Sequence, residues 1–276
     1  ESLNLSFVDA VFESTSGWTT TGATIMTNID DLNKPLLLYR QLLQWLGGIG
    51  IVVLVLAILP ILGVGGMYLY KAESSSPIKD NKLSPRITET AKSLWSVYIL
   101  LTITCAIMYK FAGMNYFDAV GHSFSTVSIG GFSTHNSSIG FYSNDLIKII
   151  CILFMFLSAL NFVLHFLFFK NRLLTTYTAN SEFKTFVSII IILFVLIFIF
   201  SLNGKLESIS NIDIIFQVFS FVTTSGFTTS NYSLWPSFII LLIFLSSFIG
   251  ACAGSAGGGM KVIRLTIALK SIKKQL

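Results

Sequence analysis

Three glycine-centred stretches of this chain carry residues suited to one kind of chemistry, the dehydration and holding of a cation: Thr20-Thr21-Gly22-Ala23-Thr24, Ile129-Gly130-Gly131-Phe132-Ser133 and Thr224-Ser225-Gly226-Phe227-Thr228. A cation entering a narrow pore loses water, and a ring of backbone carbonyls must replace those oxygen contacts. Glycine permits the backbone conformations that turn carbonyls inward, while Thr and Ser add hydroxyls. Aligning Gly22, Gly131 and Gly226 also aligns Asp9, Asp118 and Asp213, and sets Glu13 opposite His122 and Gln217. One such turn would mean little. Three in register, 109 and 95 residues apart, form an internal repeat.

Exposed non-helical backbone at membrane depth is tolerated only where protein buries it or it lines a watery cavity. The loops therefore need short helices that enter without crossing, predicted over Phe7 to Trp18, Tyr116 to Val127 and Ile214 to Val222. At about 9 to 12 residues these are too short for the roughly 20 that a span requires. Longer apolar runs cover Leu36 to Ile61, Leu94 to Phe111, Leu146 to Phe169, Phe186 to Leu202 and Phe238 to Ala253, the last continuing through glycines to Arg264. Hydrophobic residues make up 53% of the chain and charged residues 11%, which fits an all-α membrane protein and not a large soluble helical core. Cys105, Cys151 and Cys252 sit inside apolar runs, without metal or disulfide spacing.

The charges give an orientation. Of the 18 basic residues, Lys71, Lys79, Lys82, Arg86, Lys92, Lys170, Arg172, Lys184, Lys261, Arg264, Lys270, Lys273 and Lys274 fall in loops that the positive-inside rule puts in the cytoplasm. The outer side then collects Glu1, Asp9, Glu13, Asp30, Asp31, Asp118, Asp145, Glu207 and Asp213, a mouth that would concentrate cations. The net charge of +5 follows membrane topology and carries no signal for nucleic acid. The expected organisation is a first repeat over 1–70, a cytoplasmic loop over 71–93, a second repeat over 94–170, a loop over 171–185 and a third repeat over 186–276. If each repeat is a quarter of a ring, a further outward span at the start and a fourth repeat are expected outside the chain; a closed three-repeat pore is the alternative.

Gly250, Gly254, Gly257, Gly258 and Gly259 interrupt the last apolar run. Each costs a helix about 1 kcal/mol relative to Ala, so the helix is expected to break here, under the loops. A packing face of small residues is the competing reading. A phosphate loop does not fit, because Lys261 is followed by Val262 and not by Ser or Thr. His122, His135 and His165 lack ligands at metal spacing, and His122 is expected to bond a neighbour within its short helix. Asn161 and His165, at i and i+4, are expected on one face of a continuous span, packing against another helix. The three aspartates are expected to cap their helices, and Gly47, Gly48 and Gly50 to allow close packing.

The segments "FESTSGWTTTGAT", "YRQLLQWLGGIGIVVLVLAILPILGVGGM", "DNKLSPRITETAKSLW", "GHSFSTVSIGGFSTH" and "GACAGSAGGGMKVIR" resemble the TrkH branch of the Trk/Ktr/HKT potassium transporters over nearly the whole chain. The resemblance implies K+-channel-like repeats of outer helix, re-entrant pore helix with filter loop, and inner helix. It implies K+ held by Thr20, Thr21, Gly22, Ile129, Gly130, Gly131, Thr224, Ser225 and Gly226 as ion-lining backbone, and a gate loop of Gly254, Ser255, Ala256, Gly257, Gly258 and Gly259. It also implies K+ uptake in a bacterial inner membrane as a homodimer, with a TrkA-like cytoplasmic nucleotide-binding ring, no cofactor in this chain and no covalent chemistry. The second glycine of a K+ channel filter is replaced by Thr24, Ser133 and Thr228. The resemblance suggests a shorter, less discriminating filter that still favours K+ over Na+, with poorly selective Na+/K+ translocation as the alternative. An intramembrane enzyme would need a carboxylate pair, a Ser/His dyad or a His/Glu metal set on facing spans, which the sequence does not offer.

Overall fold

The computed structural model describes residues 6–50, 87–200 and 210–275. Most of the basic loop around Lys71 to Arg86 and the end of the first inner run lie outside these residues, as do Glu1 and Glu207. The described residues are helical throughout their regular structure, in the order α1 (Phe7–Trp18), α2 (Lys34–Gly48), α3 (Ile87–Phe111), α4 (Tyr116–Val127), α5 (Asp145–Ala159), α6 (Phe162–Asn171), α7 (Ser181–Phe200), α8 (Asn211–Thr223), α9 (Ser237–Ser247) and α10 (Val262–Gln275), with one helical turn at Thr175–Thr178 and short 3-10 turns between.

The short helices α1, α4 and α8 have 12, 12 and 13 residues. At 1.5 Å per residue each is about 18–20 Å long, against roughly 30 Å of hydrocarbon. The first two coincide with the sequence expectation, and the third runs farther at both ends. Their aspartates do not cap them. The caps are Ser6 and Asn115, whose side chains accept from the amides of Asp9 and Asp118, and Ser210. Each aspartate stands at the third helical position, where its charge faces the positive helix end.

Helices α3 and α7 each offer a 20-residue apolar stretch, Lys92–Phe111 and Ser181–Phe200, long enough to cross a membrane. The run Leu146 to Phe169, expected as one span, is instead α5 and α6, bent by 95° across a break at Leu160 and Asn161. This corrects the placement of Asn161 and His165 on one helical face. Asn161 caps α6, while His165 bonds the Tyr177 hydroxyl at 2.7 Å and the Leu157 carbonyl at 2.8 Å.

Two cores hold these elements. In one, Tyr98, Cys105 and Tyr109 of α3 pack with Val127 of α4, Cys151 and Met155 of α5 and Phe216 of α8. In the other, Phe186, Ile190, Leu193 and Ile197 of α7 meet Val218 and Val222 of α8, Ile239 and Ile243 of α9, and Ala251 and Cys252. The opposite face of α7, with Ile191, Ile192, Val195 and Ile199, is exposed and apolar. A long helix apolar on both faces suits a lipid surround. All three cysteines are buried and free.

On the side of the α1 and α4 N-termini, His135 ties two repeats together. Its Nδ1 lies 2.7 Å from Asp30 Oδ1, and its Nε2 lies 3.1 Å from Asp118 Oδ2. Asp30 Oδ2 also accepts from the Asn136 amide, and the Asn136 side chain accepts from the Ile29 amide. Burial of the ring disfavours its charge, but the hydrogen bonds and charges of the two carboxylates outweigh this, so its pKa stands above 6.5. The His135 bond is the main cause that holds Asp30 below its ordinary 3.8. A raised histidine pKa stabilises the fold fully below the unfolded value, and this contribution is lost as pH rises through the folded value. The melting temperature of the detergent-solubilised protein is therefore expected to fall as pH rises above about 6.5. His135→Gln should flatten that slope, whereas an unchanged slope in the variant would assign it to other groups.

Candidate functional site

The three glycine-centred loops share one backbone. Thr20, Ile129 and Thr224 have φ of 54°, 56° and 68°, and Gly22, Gly131 and Gly226 have φ of 74°, 79° and 78°. The residues between them, Thr21, Gly130 and Ser225, are absent from the positive-φ set. Left-handed conformations at non-glycine residues are uncommon, and Ile129, being β-branched, is a clear outlier. The same outlier at the same register of three repeats, each at the end of a short helix, is strain held by its surroundings. Alternating handedness gathers successive peptide groups of the same kind on one side of the chain.

The loops also stand side by side. A Cβ placed on Gly22 would overlap the Gly130 carbonyl oxygen, and one placed on Gly131 would overlap the Ser225 carbonyl oxygen. The middle carbonyl of each loop thus abuts the central glycine of the preceding one, from first to second and from second to third. At Gly226 a Cβ would meet nothing within 4 Å among the described residues.

A repeated set of struts fixes this geometry. The carbonyls of Ser16, Ser125 and Ser220, one register position in the three short helices, accept from the amides of Thr21 (3.0 Å), Gly130 (2.8 Å) and Ser225 (2.8 Å). The hydroxyls of Ser16 and Ser220 donate to the carbonyls of Ala23 and Phe227 at 2.5 and 2.6 Å. Ser125 Oγ is buried without a hydrogen-bond partner among the described residues. Farther back, Thr24 Oγ1 donates to Glu13, and His122 Nε2 bonds Ser133 Oγ at 2.9 Å. In the first two repeats the residue that replaces a channel's second glycine is therefore the outer end of a strut; in the third, the Gln217 carboxamide is buried without a hydrogen-bond partner among the described residues. His122 bonds neighbours, as its position suggested. The sequence reading missed the serines, although aligning the glycines would have aligned them too.

Helix α2 braces two loops from behind. Arg40 donates through Nε and Nη2 to Glu13 Oε1 at 2.9 and 2.7 Å, and through Nη2 to Thr24 Oγ1 at 3.1 Å. One turn on, the buried Gln44 reaches the second loop, with Nε2 donating to the Gly130 carbonyl at 2.7 Å. At the end of α2 a Cβ on Gly47 would strike the Trp18 carbonyl and one on Gly48 the Ser128 side chain, so these glycines do permit close approach.

Below the loops, the helix expected to break does break: α9 ends at Ser247 and α10 begins at Val262. The glycine-rich stretch between them is a folded loop, so it is not a helix-packing face. Its amides at Cys252 and Ala256 donate to the Ala159 and Ser158 carbonyls at the end of α5, and Gly254 accepts from the Phe162 amide at the start of α6. The Ala253 amide donates to Glu182 Oε1 at 2.7 Å, and the Gly258 amide to Thr224 Oγ1 at 2.8 Å. Lys261 Nζ donates to the Gly257 carbonyl. A Cβ on Gly257 would come within 2.9 Å of the Thr223 carbonyl and 3.5 Å of Ile129 Cδ1. Gly257 and Gly258 thus pack directly against the starts of the second and third loops.

Among the described residues, no group of three or more His, Cys, Asp or Glu side chains could hold a metal ion. The family TrkH, "Cation transport protein", matches residues 1–276. The chain belongs to the TrkH family. It is 53% identical over 96% of its length to "Trk system potassium uptake protein TrkH" of Halomonas elongata, and 50% identical over 100% to the protein of that name in Escherichia coli. The "Potassium Transporter TrkH from Vibrio parahaemolyticus" superposes with a TM-score of 0.83 at 45% identity over 99% of the chain. The chain spans 56% and 58% of the two relatives' length, and 56% of the solved chain's. TrkH-family members are membrane transport proteins and not enzymes, and the all-α fold read from the sequence stands.

The struts of this TrkH-family chain differ in ways that can be tested. Removing the hydroxyl of Ser220 deletes a buried bond and leaves the Phe227 carbonyl short of a donor, at about 1–2 kcal/mol. Ser125→Ala deletes a hydroxyl without a partner and should cost far less. Thermal unfolding in detergent is expected to rank Ser220→Ala and Ser16→Ala well below Ser125→Ala; equal losses at all three would mean that the hydroxyls contribute only packing.

Proposed function

We propose that this chain supplies three of the four segments of a K+ uptake pore, with Thr20 to Gly22, Ile129 to Gly131 and Thr224 to Gly226 as its filter and Gly254 to Gly259 as its intramembrane gate. The observation that carries this reading is the shared backbone of the three loops, left-handed at the first and third residues in every repeat. Carbonyls held in such a pattern can replace the hydration shell of a monovalent cation without reorganising when the ion arrives. The end-to-end order of the loops, and the open side at Gly226, support a ring with room for a fourth segment. The contact of the glycine loop with Thr223, Thr224 and Ile129 supports a gate next to the filter. A bacterial inner membrane, a homodimer and a cytoplasmic nucleotide-binding ring come with the family reading. The basic segments around Lys71 to Lys92, Lys170 to Lys184 and Lys261 to Lys274 are the natural contacts for that ring.

The filter is tested by Rb+ uptake in a bacterial strain deficient in K+ uptake, with the protein expressed from its complete coding region. Gly22→Ala and Gly131→Ala force a Cβ onto a left-handed residue and into a neighbouring carbonyl. The strain alone is on the order of 1–2 kcal/mol. Rb+ uptake, or its preference over Na+, is expected to fall about tenfold or more per folded protein; wild-type uptake and preference in both variants would remove these loops as the filter.

The gate reading makes a separate prediction. Deleting Ser255 to Gly258 removes the bonds to Ser158 and Thr224. Basal Rb+ flux per reconstituted folded protein should rise, with the order of ion preference unchanged. If flux per protein stays at the wild-type level while abundance collapses, the loop is packing surface and the gate lies elsewhere.

A further inference from the structure

The middle residue of the filter triplet differs among the repeats: Thr21, Gly130 and Ser225. The second repeat alone has glycine there, and its φ is not positive, so conformation does not demand it. What demands it is Gln44. A Cβ on Gly130 would lie 2.8 Å from Gln44 Nε2 and closer still to the rest of the carboxamide. That carboxamide is fully buried and bonded at both ends: Nε2 donates to the Gly130 carbonyl at 2.7 Å, and Oε1 accepts from the Phe132 amide at 3.0 Å. The two bonds grip the chain on either side of Gly131.

The third repeat fills the corresponding place differently. Met155 stands four residues before the end of α5 at Ala159, as Gln44 stands four before the end of α2 at Gly48. Met155 Sδ lies 2.8 Å from Ser225 Oγ. A thioether accepts weakly and donates nothing, so Met155 itself gives no bond to the backbone around Gly226; the Phe227 amide there donates to Ser225 Oγ at 3.5 Å, longer than the Phe132 amide's bond to Gln44.

We propose that Gln44 is a specificity-determining positioning residue. It touches no ion, but it fixes the peptide groups on both sides of Gly131 and makes the second repeat the stiff corner of the ring. A smaller ion is rejected when carbonyls cannot close around it, and stiffness at one corner limits that closure for the whole ring. The inference rests on the filter reading above, and the test separates the two.

Rb+ uptake in competition with Na+, per folded protein expressed from the complete coding region, is measured for Gln44→Leu, Gln44→Glu, Gly130→Ser, the double variant Gln44→Met/Gly130→Ser, and Gly131→Ala. Gln44→Leu loses the donor to Gly130, as does the nearly isosteric Gln44→Glu in its ionised form, and each is expected to lower the Rb+/Na+ preference about tenfold, as a buried bond is worth, the Glu variant at a pH high enough to ionise it. Gly130→Ser should do the same or fail to accumulate. The double variant rebuilds in the second repeat the Met–Ser pair of the third, and should recover abundance and part of the preference. That rescue is a result that general damage to packing does not give. Wild-type preference in both Gln44 variants, with preference lost in Gly131→Ala, would overturn the role of Gln44 and leave the filter standing. Wild-type preference in Gly131→Ala as well would bring down the filter reading and this inference together. A double variant no better than Gly130→Ser overturns the equivalence of Gln44 and Met155.

Discussion

Hydrocarbon supplies no hydrogen-bond partner, so every residue that leaves a helix at membrane depth must find its partner inside the protein. The short helices meet this demand locally, turning the carbonyls of Ser16, Ser125 and Ser220 to the amides of Thr21, Gly130 and Ser225. The inner helices meet it jointly. The break between α5 and α6 frees the carbonyls of Ser158 and Ala159, and the glycine loop frees amides; each break supplies what the other lacks. Neither interruption would be tolerable without the other, which is why an apparently uninterrupted apolar run bends by 95° opposite the glycines.

Charge is handled under the same constraint. Glu13 and Arg40 are both buried, and such a pair returns its desolvation cost only when further bonds complete it. Thr24 and the Ile25 amide complete the carboxylate, and the Phe132 ring, 4.2 Å from the guanidinium carbon, covers the cation. Because Thr24 follows Gly22 in the first repeat and Phe132 follows Gly131 in the second, this one pair joins two repeats. Replacing channel-type glycine by Thr24 and Ser133 therefore substitutes a hydroxyl strut for backbone freedom.

The sequence disclosed whatever lay in local chemistry. Helices α1 and α4 begin and end where expected because short polar caps precede them and small residues follow. The break in the last inner run was legible because glycines lie together at Gly250 to Gly259. The break at Leu160 was not, since the run has neither Gly nor Pro; its one mark was Asn161, a strong helix-capping type set among apolar residues. The aspartates do not cap, because a Ser or Asn three places earlier already takes that position and, in α1 and α4, accepts from the aspartate's own amide. The grip of Gln44 on Gly130 and of His135 on Asp30 joins residues 86 and 105 apart. No local pattern announces such contacts.

Thr224 occupies a place where three demands meet. Its φ of 68° ends α8 and opens the third glycine-centred loop, and its Oγ1 accepts from the Gly258 amide at 2.8 Å. A β-branched residue in that conformation is strained, and the bond to the glycine loop is one of the forces that hold it there. A shift of the loop that withdraws the Gly258 amide would remove that support, so the third glycine-centred loop and the Gly250 to Gly259 stretch are mechanically coupled. The coupling is local to this corner: Ile129 offers only a methyl contact to Gly257, and Thr20 has no contact with the loop among the bonds described. The bonds that hold Gly130 and Phe132 come from α2 and not from the glycine loop, so the second loop keeps them independently of the contact beneath the third.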